Sequence, residues 1–387
     1  MRNDIFSFGN IYRCYLKCRR NKRNTVNALK FELNAEENIL KLEKGLKNKT
    51  YHPSRSILFF VKKPKLREIF AADFRDRVVH HALVSYLEPI FEKIFIYDSF
   101  SCRKDKGTHK GVKRLQSFIG KASQNGVVKT YYLQLDIKSY FTSINKEILF
   151  NLIKRRTNNK NVLWLTEKII FNDCTKNYIL RNKLNLFDKL ACEKSLFGKE
   201  NKVGVPIGNL TSQFFANVYL NELDQFVKHS LRCRYYVRYT DDFVLLDSSK
   251  EKLSGWIEEI GEFLESRLKL RFNPRRTKLQ PVSNGIDFLG YIIRKDYILV
   301  RRRVINNMDI KLRYFKQRGL KGLNYEMLEG LRSSLQSYLG HFRWANSYRL
   351  KERLSKRRIV SDYFELVGNS LVRKYNINNF EKEVYCN

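Results

Sequence analysis

Tyr235-Tyr-Val-Arg-Tyr-Thr-Asp-Asp-Phe-Val-Leu-Leu246 contains the only two adjacent aspartates of the chain, Asp241 and Asp242. Residues that favour β-strands flank them on both sides, and Thr-Asp-Asp is the polar break between the two runs. The pattern predicts a hairpin with both carboxylates at its tip. A polar hairpin tip needs no functional explanation by itself.

A third acid, Asp136, indicates a chemical role for the pair. Asp136 ends the apolar run that begins at Tyr131, so we expect it at the end of a strand. If that strand neighbours the hairpin, three carboxylates converge, and their mutual repulsion requires cations. Hard oxygen ligands suit Mg²⁺, and two such ions about 3.5–4 Å apart stabilise the attacking and leaving oxygens of a phosphoryl transfer. The sequence therefore predicts two Mg²⁺ ions here, with Mn²⁺ able to substitute.

The composition favours a nucleic-acid partner. The 387 residues include 75 Lys and Arg against 39 Asp and Glu, a formal charge of +36 that a polyanion would offset. An anionic membrane surface is the alternative, although no apolar run reaches the roughly 18 residues that span a bilayer. Because 43% of the residues are hydrophobic, wholesale disorder is excluded. The chain starts without a signal-peptide core and its 7 cysteines form no Cys-x-x-Cys pair, so we expect a cytoplasmic protein with reduced thiols.

Periodicity predicts a mixed α/β (α+β) chain. Residues 56–61 and 66–71 are predicted to form a hairpin, and the helical pattern of residues 78–87 is predicted to stop at Pro89. Residues 150–203 are weakly patterned and resemble an insertion. Further predicted elements are a strand at 131–136, an Asn145-capped helix, an amphipathic helix ending near 229, a helix at about 250–268, a strand pair up to about 300, and basic helices from 301 onward.

Further motifs occur in order from about residue 51 to 350. They are Lys65-Leu-Arg67-Glu-Ile, Asp73-Phe-Arg-Asp-Arg77-Val-Val-His-His, Asp98-Ser-Phe-Ser-Cys-Arg103-Lys-Asp-Lys-Gly107, Leu135-Asp136-Ile-Lys-Ser-Tyr-Phe141, Gly204-Val-Pro-Ile-Gly208-Asn-Leu-Thr-Ser212-Gln213, Tyr239-Thr-Asp-Asp242, Asn273-Pro with Lys278, Phe288-Leu-Gly-Tyr291, and Tyr338-Leu-Gly-His-Phe-Arg-Trp-Ala-Asn-Ser-Tyr348. Together these motifs resemble those of prokaryotic reverse transcriptases, most closely those of diversity-generating retroelements. Ile207-Gly208 and Ser212-Gln213 carry the likeness to that subgroup, because most reverse transcriptases have Gln before the Gly and Ser-Pro after it.

The resemblance implies a right-hand polymerase with fingers, a palm of antiparallel sheet plus helices, and a helical thumb. Its expected parts are a basic helical N-terminal extension (1–50), fingers (51–130), a palm (131–290, in which 150–203 contributes to the fingers) and a helical thumb (291–387). The implied activity is synthesis of cDNA on a structured RNA template by two-metal nucleotidyl transfer, with low fidelity. The implied partners are template RNA, cDNA, dNTPs and a small basic accessory protein, with no membrane. The oligomeric state is not predicted.

The resemblance also assigns roles to single residues. Catalysis and metal binding fall to Asp136, Asp241 and Asp242, with the main-chain carbonyl of Ile137 as a further ligand. The residues expected to bind the dNTP are Lys65, Arg67, Phe141, Gln213 and Lys278, with Arg276 as an alternative to Lys278. The template and primer pocket is assigned to Ile207, Gly208 and Tyr239, and further nucleic-acid contacts to Arg75, Arg77, Arg301, Arg302 and Arg303.

Three alternatives remain open at this stage. The first is a reverse transcriptase of an antiphage defence system that uses a dedicated non-coding RNA. The second is an RNA-directed RNA polymerase, although Phe141 and Tyr-Thr-Asp-Asp argue against it because an aromatic ring under the sugar clashes with a 2′-hydroxyl. The third is an inactive RNA-binding scaffold, which the intact set of three acids disfavours.

Overall fold

The computed structural model describes residues 4–20, 25–62, 65–181, 187, 189–317 and 324–374. The predicted extension (1–50) and the predicted helical segment (291–387) therefore lie partly outside the described residues, as does Cys386. The helices are α1 Phe8–Arg19, α2 Val26–Leu33, α3 Ala35–Lys47, α4 Phe74–Phe91, α5 Thr108–Ala122, α6 Tyr140–Ser143, α7 Lys146–Lys154, α8 Lys160–Ile170, α9 Leu210–Gln225, α10 Lys250–Leu268, α11 Arg302–Gln317, α12 Tyr325–Phe342, α13 Tyr348–Ser355 and α14 Arg358–Ser361. The strands are β1 Ser56–Val61, β2 Arg67–Ala71, β3 Tyr131–Asp136, β4 Tyr178–Leu180, β5 Tyr235–Tyr239, β6 Asp242–Asp247, β7 Lys278–Pro281, β8 Ile286–Phe288, β9 Tyr291–Ile293, β10 Ile298–Val300, β11 Phe364–Val367 and β12 Ser370–Arg373.

The chain forms two compact units. The first comprises Met1–Gly107, Leu133–Leu245 and Glu251–Lys278. The second comprises Thr108–Tyr132, Leu246–Lys250 and Leu279–Asn387. None of the helices in the described part of the chain combines the length and the apolar character needed to cross a membrane.

A three-stranded sheet in the order β2-β1-β4 belongs to the first unit. β1 and β2 pair antiparallel, with Phe59 opposite Ile69, as the apolar alternation predicted. β4 pairs parallel with β1, with Ile57 opposite Ile179. The weakly patterned residues 150–203 therefore contain helix α8 and strand β4, and β4 is part of this sheet.

The sheet with the order β5-β6-β3-β7 carries the three acids. β3 has the predicted bounds, and its residues from Tyr132 to Asp136 are buried because both faces of the strand are covered. β5 and β6 are separated by the two-residue turn Thr240-Asp241, as the hairpin prediction requires. Within β7 the chain passes from the first unit to the second.

Helix α9 differs from its prediction. The sequence predicted an amphipathic helix, but α9 is buried on nearly all sides. Buried polar residues such as Asn217 and Asp224 occupy the side expected to face solvent, and both have hydrogen-bond partners within the protein.

The second unit is held by its own core. α11 to α14 and the antiparallel hairpin β11–β12 surround a cluster of buried side chains that includes Leu312, Leu331 and Leu335. The helices predicted after residue 301 are present as α11 to α14, and the hairpin β11–β12, which was not predicted, follows α14. The predicted end of α4 at Pro89 is wrong: the helix contains that proline and continues to Phe91.

Gly208 lies where the first unit leaves no room for a side chain. It has φ +125°, and a Cβ at this position would lie 2.8 Å from Ile69 Cγ2 and 3.1 Å from the Phe70 carbonyl oxygen. The neighbouring Ile207 carbonyl accepts a hydrogen bond of 2.9 Å from the Phe70 N–H. The glycine therefore lets the loop before α9 pack directly against β2.

Gly208→Ala should lower the free energy of unfolding by about 1–3 kcal/mol, because the backbone conformation and the contact with β2 both become strained. Gly255→Ala in α10 is the matched control: nothing lies within 4 Å of its Cβ position, and alanine favours the helix by up to about 1 kcal/mol. Chemical denaturation of both variants measures the difference. Equal effects of the two substitutions would contradict this account of Gly208.

Candidate active site

The turn between β5 and β6 brings Asp241 next to the end of β3. The Ile137 N–H donates a hydrogen bond of 3.2 Å to the carbonyl oxygen of Asp241. Asp136 and Asp241, 105 positions apart in the numbering, therefore end up on neighbouring chain segments. Asp242 opens β6, which neighbours β3 in the sheet.

Side chains of the protein contact two of the three carboxylates. Arg276 Nη1 lies 2.6 Å from Asp136 Oδ1 in an ion pair. Gln134 Nε2, on the same strand as Asp136, donates to Asp242 Oδ1 at 3.0 Å. Within the described ranges, no group of three His, Cys, Asp or Glu side chains is arranged so that it could hold a metal ion. The acids lie in one region, but side chains of the protein already contact Asp136 and Asp242.

Burial and like charge determine the protonation of the acids. Burial, followed by the negative charge of Asp241, raises the pKa of Asp136 to about 7, against a hydrogen bond from Asn273 that lowers it. Burial also raises the pKa of Asp241, while a main-chain hydrogen bond and the positive charges of Arg67 and Arg238 lower it. A cation near these carboxylates would relieve the cost of keeping both charged.

The chemistry of the donors fits magnesium. The three carboxylates and the carbonyl of Ile137 are hard oxygen ligands, the type that Mg²⁺ prefers. Burial first, and then the negative charge of Asp241, raises the pKa of Asp136, and a bound cation would favour its charged form. Arg276, which is exposed, would have to leave Asp136 before a cation took that oxygen.

The residues predicted to bind a nucleotide are spread over several elements. Arg67, at the start of β2, is close enough for its charge to act on Asp241. Phe141 in α6 is half-buried, whereas its neighbour Tyr140 is buried and donates from its hydroxyl to the Ala216 carbonyl at 2.6 Å. Gln213 is exposed among buried neighbours in α9. The other two predicted residues, both exposed, are Lys65 and Lys278.

The predicted template pocket lies on the loop before α9 and at the end of β5. Gly208 is exposed and Ile207 is half-buried. Tyr239, the last residue of β5, is half-buried immediately before the turn with the acids. The main-chain contact between Ile207 and β2 fixes this loop, so its exposed atoms have a defined position.

Two of the residues predicted to contact nucleic acid, Arg75 and Arg77, have hydrogen-bond partners within the protein. Arg75 donates to Ser54 Oγ at 2.7 Å and lies 5.0 Å from the ring centre of Tyr51. Arg77 Nε donates to the Ala72 carbonyl at 2.8 Å. In the second unit, Arg301 pairs with Asp287 at 2.9 Å, and the remaining predicted residues, Arg302 and Arg303, are exposed at the start of α11.

Sequence reasoning missed the partners of the acids. It considered Arg276 only as a residue near a triphosphate, and it gave no role to Arg238, which is fully buried and paired with Asp224. The order of charges along the chain carries no signal for either contact. The one local signal was Arg238 itself, a charged residue within a strand whose other residues are typical of a buried strand.

Comparison with known proteins places most of these residues within one family model. The model described as "Reverse transcriptase (RNA-dependent DNA polymerase)" matches residues 60–293. The matched range is more than half of the 387-residue chain and contains Asp136, Asp241 and Asp242.

Individual proteins are similar at low identity. Protein YkfC of Escherichia coli (strain K12) is 26% identical over 292 residues, covering 66% of this chain and 71% of YkfC. Group II intron-encoded protein LtrA of Lactococcus lactis subsp. cremoris is 23% identical over 370 residues, covering 79% of this chain and 56% of LtrA. A solved structure of apo telomerase from Candida tropicalis matches with a TM-score of 0.48 and 13% identity, covering 64% of this chain and 55% of that chain.

Proposed function

Because the chain belongs to the reverse transcriptase family, the RNA-dependent DNA polymerases, we propose that it extends a DNA strand on an RNA template at the site formed by Asp136, Asp241 and Asp242. One observation carries the proposal: the Ile137 N–H donates a hydrogen bond to the Asp241 carbonyl oxygen, which puts the acids of two distant motifs on neighbouring chain segments. The fingers, palm and thumb boundaries given above are part of the same proposal.

The acids would hold two Mg²⁺ ions, with Mn²⁺ able to substitute and the Ile137 carbonyl as a further ligand. Once bound, the ions would activate the attacking hydroxyl and stabilise the leaving pyrophosphate. Arg276 balances the charge of Asp136 until then. Before a cation could bind Asp136, the Arg276 side chain would have to move away from this carboxylate.

Other side chains would position the nucleotide. Arg67, whose charge already acts on Asp241, would bind phosphate oxygens through its forked guanidinium. Phe141 would lie under the sugar and exclude a 2′-hydroxyl. Ile207, Gly208 and the exposed Gln213 would contact the templating base pair. The surplus of 36 positive charges supports RNA as the template but does not identify it.

The decisive assay is extension of a labelled DNA primer on an RNA template with dNTPs or NTPs and Mg²⁺. The proposal predicts extension with dNTPs, little with NTPs, and none after chelation of the metal. Extension with NTPs alone would favour an RNA-directed RNA polymerase. RNA binding without any extension would favour an inactive scaffold.

Within this activity we propose error-prone copying for a diversity-generating retroelement. The support is the string Ile207-Gly208 with Ser212-Gln213, in which an aliphatic residue takes the position of the usual Gln. A near-identical template and variable repeat beside the gene, with a small basic accessory protein, would fit this role. The absence of such a repeat, with a dedicated non-coding RNA instead, would favour antiphage defence.

Sequencing the cDNA made on a defined RNA should reveal errors concentrated at template adenines. The expected cause is the aliphatic Ile207, which cannot hydrogen-bond the nascent base pair as Gln does. Ile207→Gln should lower the error frequency at adenine while extension continues. A product that is uniformly faithful in the wild type would contradict the low-fidelity proposal and leave the polymerase activity standing.

A further inference from the structure

A fully buried ion pair lies next to the turn that carries Asp241. The side chains of Arg238 on β5 and Asp224 on α9 are each 0% exposed. The guanidinium donates to both carboxylate oxygens, from Nε at 2.7 Å and from Nη2 at 2.6 Å. Removing two charges from water costs several kcal/mol per ion, and apolar residues in their place are often equally stable. Stability alone therefore does not account for this pair.

The remaining guanidinium nitrogen contacts the turn. Arg238 Nη1 donates to the Thr240 carbonyl oxygen at 3.0 Å and lies 3.3 Å from Asn217 Oδ1. Thr240 has φ +55°, a left-handed conformation that is uncommon for a β-branched residue. Such a conformation persists only where its surroundings hold it in place. The Arg238 contact is one of those constraints.

The neighbouring chain segment holds the turn from another direction. The Thr240 hydroxyl donates to Ser101 Oγ at 2.6 Å, and the Ser101 carbonyl accepts from Asn217 Nδ2 at 2.8 Å. On the far side of the turn, the Asp241 carbonyl accepts from the Ile137 N–H. Hydrogen bonds thus connect the buried pair to the main chain on which Asp136 and Asp241 lie.

We propose that Arg238, held in place by Asp224, is a positioning residue that fixes the Thr240-Asp241 turn and so the placement of the Asp241 and Asp242 carboxylates around divalent cations. The inference rests on the proposed function. Arg238 touches no reacting group; it acts through the Thr240 carbonyl. The fork of the guanidinium is essential, because it binds a carboxylate and a carbonyl at once, which a single ammonium in the same space does not reproduce.

Three variants separate this role from charge and from packing. Arg238→Lys keeps a positive charge beside Asp224 but lacks the fork. The double variant Arg238→Met/Asp224→Leu replaces the pair with apolar side chains and leaves no unpaired charge. Tyr236→Phe is the matched control, because it removes a 2.8 Å hydrogen bond to the same Asp224 and leaves the contact with Thr240.

Two readouts are needed on protein that unfolds cooperatively in thermal denaturation. The first is Mn²⁺ binding to the protein without nucleic acid, followed by the electron paramagnetic resonance signal of the free ion. The second is primer extension, with kcat and the KM for dNTP determined separately. The Mn²⁺ measurement does not require polymerisation, so it tests the inference even if the wild type fails to extend a primer and the proposed function falls.

We expect Arg238→Lys and the double variant to lose about 10²-fold in kcat with little change in KM, the size of effect produced by misplacing catalytic groups by about 1 Å. Both should bind Mn²⁺ at least several-fold more weakly, while Tyr236→Phe matches the wild type. Wild-type Mn²⁺ affinity and kcat in folded Arg238→Lys would overturn the inference. If the double variant does not fold, Arg238→Lys alone decides between the two outcomes. An equal loss in Tyr236→Phe would also overturn it.

Discussion

Replacing Asp241 and Asp242 together by Asn should lower the rate of primer extension about a thousandfold or more, because losing about 4 kcal/mol of transition-state stabilisation has this effect. Asn keeps the size and one oxygen of each side chain but removes the charge that a divalent cation requires. RNA binding should remain, since phosphate contacts elsewhere on this basic chain supply it. Extension rates and a filter-binding assay with the same RNA measure the two effects.

The matched control for these substitutions is Asp247→Asn, at the opposite end of β6. Asp247 accepts a hydrogen bond from the Ser249 N–H, which an Asn oxygen also accepts, so this variant should extend primers normally. Extension by the double variant at the wild-type rate would remove the assignment of the site. Loss of both RNA binding and cooperative unfolding would instead show damage to the fold, which circular dichroism detects.

Phe141→Ala should reduce the preference for dNTPs over NTPs by about 10- to 200-fold, equivalent to about 1–3 kcal/mol of lost discrimination. The half-buried ring in α6 is proposed to occupy the space that a 2′-hydroxyl would need. The effect should appear as faster use of NTPs, while kcat/KM for dNTPs changes far less. Competition between a dNTP and the matching NTP at a single template position measures it directly.

Phe150→Ala is the control for the loss of aromatic packing. Phe150 in α7 is also half-buried, and its ring lies 6.3 Å from that of Phe171. Its removal should lower stability without altering sugar preference. An unchanged ratio of dNTP to NTP use in Phe141→Ala would contradict the role of the ring, and an equal change in both variants would show that general loosening accounts for it.

The predictable parts of the fold are those determined by neighbouring residues. β3 ends at Asp136 as predicted, because an apolar run followed by an acid is a local signal. The turn at Thr240-Asp241 and the pairing of β1 with β2 follow from equally local patterns. The expectation that the acids meet came from placing Asp136 at a strand end and Asp241-Asp242 at a hairpin tip, and the family motifs agreed with it.

The unpredicted parts depend on contacts between distant residues. The sequence does not predict the ion pair between Arg276 and Asp136, because the two residues are far apart in the chain and only the folded structure brings them together. The amphipathic prediction for α9 failed for a related reason: Asp224 reads as solvent-facing, yet it is buried against Arg238. The close packing of Gly208 against β2 was also not predicted, because Ile69 and Phe70 are far from Gly208 in the sequence.

The central claim is that three acids from distant positions hold the cations at which a nucleotide is joined. Anomalous diffraction from crystals of the protein with primed RNA, an incoming dNTP and Mn²⁺ tests it directly. The account predicts two manganese peaks about 3.5–4 Å apart, bound by Asp136, Asp241 and Asp242 and with Arg276 displaced from Asp136. Manganese bound elsewhere, with the Arg276–Asp136 ion pair intact in the presence of nucleotide, would contradict it.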